Sequence, residues 1–338
     1  MGPGPGVTDD GRIDLTDPRR PGATVVDDGV RFEVWAPVAE RVAVDVVGHG
    51  PVDLEPVGGG SFATVVEGLA PGSRYRFRLD EADPLPDPAS RAQPDGVVGP
   101  SAVVDPARWS WSDRGWAGVG LADTVLYELH VGTFTAGGTL DSAITELPRL
   151  AALGITTVEL MPLAQFSGRH GWGYDGVFPN AVQHSYGGPD ALARFVDAAH
   201  ATGLAVIVDV VHNHLGPEGN VLPRYGPYVT DAYVTPWGGA VNVADAGSDQ
   251  VRRLFLDNAR MWIDDYHCDG LRVDAVHAIV DPTARPFLEE LTTAVHELGD
   301  RAGRTALVVF ESSANDPRML ATPPEGLGAD AQWNDEYH

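Results

Sequence analysis

The chain contains no lysine. All 23 basic residues are arginine, they face 48 aspartates and glutamates, and the formal net charge is −25. So acidic a surface repels nucleic acid and anionic membrane, while a neutral substrate is indifferent to it. We read the missing lysines as a matter of genome composition rather than of mechanism. Cysteine is nearly absent too, Cys268 being the one thiol in 338 residues. It cannot form an internal disulfide and has no partner for a zinc–cysteine cluster, which argues against an extracellular disulfide scaffold and predicts a buried thiol beside a strand. No apolar run approaches the roughly 20 residues of a membrane span. The N-terminal stretch MGPGPGVTDDGRIDLTDPRRPG has neither a basic n-region nor an apolar h-region. The expectation is a cytoplasmic protein.

What the chain does have is 43% hydrophobic residues, enough for a sizeable core in one large or two medium domains. From about Gly29 to Leu79 the pattern alternates with period two (VRFEVWAP, VAVDVV, FATVVEGL, YRFRL), punctuated by Gly and Pro. This predicts short antiparallel strands of an immunoglobulin-like β-sandwich. The segment LPDPASRAQPDGVVGPS cannot be strand or helix for long and reads as a linker packed against its neighbours. After about Leu121, apolar runs alternate with amphipathic helical stretches such as SAITELPRLAALG, DALARFVDAAHATG and QVRRLFLDNARMWIDDYH, which predicts parallel βαβ units. Six such strands can be counted, the last being ADAQW, whereas a (β/α)8 TIM barrel needs eight. The expected domains are a flexible N-terminus (1–25), the sandwich (26–82), a linker packed on both domains (83–120) and an incomplete barrel (121–338).

Polar residues stand at the ends of three successive barrel strands, where such barrels build their sites. LAVIVDVVHNH ends in Asp209, Asn213 and His214; GLRVDAVH in Arg272, Asp274 and His277; TALVVFES in Glu311. Asp209 lies within its strand, so a structural carboxylate and a substrate contact are about equally supported. His214 and His277, each taken alone, read more readily as packing histidines than as site residues. Asp274 and Glu311 are harder to dismiss, because an acid after a buried apolar run is costly unless it is paired or solvated in a cleft.

Paired carboxylates across a cleft are what glycoside hydrolysis requires, one ionised to attack and one protonated to release the leaving oxygen. Arg272, two residues from Asp274 and on the same strand face, can hold Asp274 anionic. Glu311 has no such neighbour in sequence and follows VVF, so its pKa is expected to rise, as suits the acid. The loop GRHGWGYDGV offers Trp172, Tyr174 and Asp175, and Trp237 sits in TPWGG; flat aromatic faces suit sugar rings. A metal is the weaker alternative: Asp209, His212 and His214 are close together, but no second cluster completes a coordination sphere. No cofactor is expected.

DVVHNH, GLRVDAVH and FES, with MPL at 161–163 as an accessory region, resemble the first three signature regions of the α-amylase superfamily, glycoside hydrolase family 13. The resemblance implies a retaining mechanism with Asp274 as nucleophile and Glu311 as acid/base. Arg272, Asn213, His214 and Asp209 would line or support the subsite next to the scissile bond, with Tyr174 stacking on its sugar. The stretches LPDPASRAQPDGVVGPS, YELHVGTFT, GRHGWGYDGV, NHLGPEGN, ESSANDPR and AQWNDEYH resemble, more narrowly, the branch that releases trehalose from maltooligosyl trehalose. That substrate, or a related α-glucan, is the partner implied. Val98 and Ser313 depart from that pattern, where a histidine and an acid are expected. The superfamily's third carboxylate, in an NHD motif after the seventh strand, is expected beyond residue 338; Asp335 in WNDEYH resembles the sixth-strand segment instead. The chain is therefore expected to be a fragment. Glycogen branching or debranching, and a non-catalytic glucan-binding remnant, stay open as alternatives, and the sandwich either binds glucan or props the barrel.

Overall fold

A computed structural model describes residues 13–17 and 20–334. Much of the expected flexible N-terminus (1–12, 18 and 19) and the candidate Asp335 lie outside the described residues. Eight strands form the N-terminal sandwich: β1 (Gly22–Val26), β2 (Gly29–Trp35), β3 (Val42–Val46), β4 (Gly50–Asp53), β5 (Glu55–Gly58), β6 (Ser61–Glu67), β7 (Arg74–Leu79) and β8 (Ser101–Ala102). They make two antiparallel sheets, ordered β1-β2-β6-β5 and β4-β3-β7-β8. Alternation along β2 explains the packing. Val30, Phe32 and Val34 are buried between the sheets, where Phe32 meets Tyr75 edge-on at 4.9 Å, while Glu33 and Trp35 point the other way, toward the barrel.

The sandwich is wider than 26–82. Strand β1 begins at Gly22 and pairs along β2 from Gly22↔Glu33 to Val26↔Gly29. Strand β8 comes from the proline-rich stretch and pairs with β7, and Leu85 bridges to Phe77. That stretch satisfies its backbone locally instead of by a long ladder: the Tyr75 hydroxyl donates to buried Asp87 at 2.5 Å, and Asp87 N–H donates to Ser101 Oγ at 3.0 Å.

The second domain is one parallel sheet of β9 (Leu126–Leu129), β10 (Thr157–Leu160), β13 (Ala205–Val210), β16 (Gly270–Val273), β17 (Leu307–Glu311) and β18 (Ala331–Trp333). These strands pair in sequence order, with helices Gly188–Ala201, Ser248–Arg260 and Phe287–Ala302 on the crossovers. The antiparallel pairs β11 (Ala164–Gln165) with β12 (Phe178–Val182), and β14 (Val229–Thr235) with β15 (Gly238–Val241), are excursions from the strand ends. The sheet curls as six staves of a barrel. Strands β9 and β18 are its edges, and a cavity of about 630 Å³ between them is lined by the inward residues Leu126, Ile207, Leu307, Val309 and Trp333. Cys268 is fully buried just before β16, as expected.

The stretch SAITELPRLAALG is not one helix but two, Leu140–Ile144 and Leu147–Leu153. Pro148 has no N–H to donate into a preceding turn, so the chain restarts there with proline in the new helix's first turn. The helix Ser248–Arg260 runs on into a π-helical turn, Met261–Asp265. One continuous apolar core runs from Phe32 and Phe77 of the sandwich to Phe255 and Phe310 of the barrel.

Candidate active site

Parallel register assembles the site. Asp209 on β13 lies directly beside Arg272 on β16, so adjacent strands bring a carboxylate and a guanidinium into one row. Asp274 follows two residues on from Arg272. Glu311 ends β17, two residues beyond Val309, the partner of Arg272. The side-chain period of two therefore sends Arg272, Asp274 and Glu311 to the same face.

Arg272 is the hub. Its Nη1 lies 2.9 Å from each Asp209 oxygen and 2.9 Å from Asp274 Oδ1, and its Nη2 lies 3.4 Å from Glu311 Oε2. Burial works against the guanidinium's charge, but Asp209 and Glu311 outweigh it and its pKa rises. The Trp333 ring covers it, with the guanidinium carbon 5.8 Å from the ring centroid. Glu311, which has no such neighbour in sequence, therefore has one in space, and it also accepts the Ala275 N–H at 2.6 Å. Ala275 adopts the left-handed conformation, with φ +41°, and that turn aims its N–H at Glu311.

Both Asp274 oxygens are engaged: Oδ1 by Arg272 and Oδ2 by the Asn213 amide at 2.7 Å. Asn213 also donates to the Asp274 carbonyl at 2.8 Å, and its own Oδ1 is hydrogen-bonded to His214 Nδ1. Burial lowers the His214 pKa, and its ring stacks on Trp237 at 4.8 Å and 12°. Burial pushes Asp209 up to about 7, against the pull of Arg272. The Tyr174 hydroxyl donates to Asp209 Oδ2 at 2.9 Å. Tyr174 is held by its loop: Gly173 has φ +100°, and a Cβ there would lie 2.2 Å from the Pro162 carbonyl.

The structure thus gathers Asp209, Asn213, His214, Arg272, Asp274, Glu311, Tyr174 and Trp237. It leaves others at the rim. Trp172 is 72% exposed, Asp175 is exposed with its backbone packed against Gly216, and His277 is exposed on the turn Val276–Ala278, without a hydrogen bond to either acid. His277 was a candidate substrate contact at the end of its strand. The short helical turn after Ala275 places it at the solvent side of the rim. No group of three metal-ligating side chains occurs among the described residues.

One residue escaped the reading of the sequence. Glu159 on β10 is fully buried, neither carboxyl oxygen has a hydrogen-bond partner, and burial, with repulsion from Asp209, pushes its pKa up to about 8. The signal was available, since a glutamate inside the apolar run TTVELMPL is as anomalous as Asp209 inside its own.

Comparison with known proteins agrees with this architecture. Residues 21–102 match carbohydrate-binding module 48 (isoamylase N-terminal domain), and residues 90–225 match the alpha amylase catalytic domain. The chain is 45% identical over 314 residues to a protein named malto-oligosyltrehalose trehalohydrolase from Saccharolobus solfataricus, covering 92% of this chain and 54% of that one. It is 48% identical to one of the same name from Arthrobacter ramosus, covering 91% and 54%. It spans about half the length of these curated relatives. A crystal structure assigned to alpha amylase from Salmonella typhimurium superposes with TM-score 0.88 at 41% identity, over 94% of this chain and 54% of that one. A Paenibacillus barengoltzii pullulanase shares the fold, with TM-score 0.72 at 23% identity over 87% and 53%. No described helix is long and apolar enough to cross a membrane. With a sandwich of the module 48 type leading into a curled parallel sheet whose strand ends carry Asp209, Arg272, Asp274 and Glu311, the chain belongs to the α-amylase superfamily, glycoside hydrolase family 13.

Proposed function

We propose that this chain carries most of the catalytic face of an enzyme that hydrolyses the α-1,4-glucosidic bond next to the terminal trehalose of maltooligosyl trehalose, releasing trehalose in the cytoplasm. The observation that carries the reading is Arg272 bridging Asp274 and Glu311 at the mouth of the sheet. The choice of substrate is supported by relatives at 45–48% identity that bear the trehalohydrolase name.

Asp274 attacks the anomeric carbon, and the bond to the leaving oxygen breaks as Glu311 delivers its proton. Glu311, now a carboxylate, takes a proton from water. That water attacks the glycosyl-enzyme and frees Asp274. Arg272 and Asn213 hold the nucleophile's two oxygens in place, and Tyr174 and Trp237 face the sugar. A 1,4-α-glucan branching enzyme from Corynebacterium jeikeium is also 32% identical. Transfer to a sugar hydroxyl instead of water is therefore the second reading.

Asp274→Asn in the whole encoded protein removes the nucleophile at nearly constant shape and lowers turnover of maltooligosyl trehalose at least about a thousandfold. Near-normal trehalose release would sink the assignment. A wild-type protein that branches glycogen and releases no trehalose would establish the second reading.

A further inference from the structure

The sandwich matches a carbohydrate-binding module, yet it offers sugar no aromatic face: Phe32, Trp35, Phe62, Tyr75 and Phe77, its five aromatic residues, are all buried. Trp35 is buried not in the sandwich's own core but against the barrel. Its indole packs edge-on against Tyr228 at 5.3 Å, and its Nε1–H donates to the Gly59 carbonyl at 3.1 Å, which fixes the ring. The ring also lies directly on two glycines. A Cβ on Gly226 would come within 2.9 Å of it, and one on Gly247 within 3.1 Å.

Those glycines mark the two feet of the excursion that bears the β14–β15 hairpin. Between the feet the backbone is tied by Asn242, whose side-chain amide donates to the carbonyls of Pro227 and Ala246, each at 2.9 Å, and whose N–H donates to Tyr228 O at 3.0 Å. At the far end of the hairpin Trp237 stacks on His214, which bonds Asn213, which bonds Asp274.

We infer that Trp35 is a positioning residue: the sandwich wedges its indole between the feet of the hairpin and thereby sets where Trp237 lies over the sugar subsite. The module's aromatic residue thus serves the subsite from behind instead of binding glucan itself. This rests on the reading of Trp237 as a sugar platform.

The test compares Trp35→Ala, Trp35→Phe, Gly226→Ala and Trp237→Ala in the whole encoded protein. Two readouts are used: the ring-current shift on the His214 side-chain protons, and the kinetics on maltooligosyl trehalose. Trp35→Ala abolishes the ring-current shift as Trp237→Ala does, and raises KM about tenfold with kcat changed far less, the cost of a misplaced binding group. Trp35→Phe keeps the shift and most of the affinity. Gly226→Ala, which keeps Trp35 but pushes it off the foot, reproduces Trp35→Ala even if the latter folds poorly. Adding Trp35→Ala to Trp237→Ala raises KM no further, since both act through one contact. An unchanged His214 resonance in Trp35→Ala and Gly226→Ala, or KM penalties that add, would overturn the inference. If Trp237→Ala leaves KM unchanged, the platform reading fails, and the His214 resonance still decides for or against Trp35.

Discussion

Glu159 brings a carboxyl into the barrel that no hydrogen bond satisfies, and its pKa is pushed up to about 8, burial being the main cause. An acid whose folded pKa lies above its unfolded value binds more protons in the native state. Stability relative to a neutral residue is therefore full below the unfolded value of 4.5 and is lost progressively as pH rises to about 8. Glu159→Gln should change stability little at pH 5 and raise it by on the order of 1 kcal/mol or more at pH 8.5. Thermal melts across pH check this, and a gain that did not grow with pH would show that Glu159 is not held neutral. At Glu311 the expectation concerns chemistry. Glu311→Gln removes the proton donor, so it should slow substrates with poor leaving groups by about a hundredfold or more while slowing activated aryl glucosides far less. Equal slowing of both would take Glu311 out of the acid role.

At the scale of elements, strand ends and the loops behind them do different work. The ends of β13, β16 and β17 fix charge through register, which is rigid because each strand is hydrogen-bonded on both sides. The loop between β11 and β12 fixes Tyr174 by a close approach that only glycine permits. Gly173→Ala places a Cβ against the Pro162 carbonyl at a left-handed φ. The expected result is a loss of roughly 1–3 kcal/mol of stability together with a raised KM, as Tyr174 leaves Asp209. Unchanged KM with lowered stability would separate the loop from the subsite. The Trp237 hairpin is positioned differently again, from its feet.

At the scale of the whole molecule, sandwich and barrel share one core and are also joined by buried charge. Glu33 of β2 accepts from Arg253 of the helix Ser248–Arg260 at 3.1 Å, and from its own strand neighbour Arg31 at 2.5 Å. Breaking a buried pair costs about 3–5 kcal/mol when the remaining charge is left alone. Arg31 remains here, so Arg253→Met should cost less, roughly 2 kcal/mol. A urea midpoint that does not move would mean that the interface relies on apolar contacts alone.

Much of this was legible in the residues. Period-two alternation placed the sandwich, and the repeated strand–helix pattern placed the parallel sheet, because each element must bury one face. Charged residues inside apolar runs marked Asp209, Arg272, Asp274 and Glu311. What sequence could not carry was anything set by neighbours distant along the chain. The spacing of two tied Arg272 to Asp274, but only the pairing of β16 with β13 and β17 gave the same arginine Asp209 and Glu311 as well. Glu159 is as anomalous in its apolar run as Asp209, but only packing shows that neither of its carboxyl oxygens finds a donor. His277 looked equivalent to His214, and a turn of backbone sent one to solvent and the other to the stack on Trp237. Trp35 carried no mark of its own in the sequence, since alternation along β2 does not say what packs against the sandwich's outer face. Sequence by itself determined which residues could do chemistry and which faces had to be buried, since those follow from local spacing and polarity. The tertiary structure decided which groups share a proton, a charge or a ring face, since those energies depend on distances between segments that the chain's order does not fix.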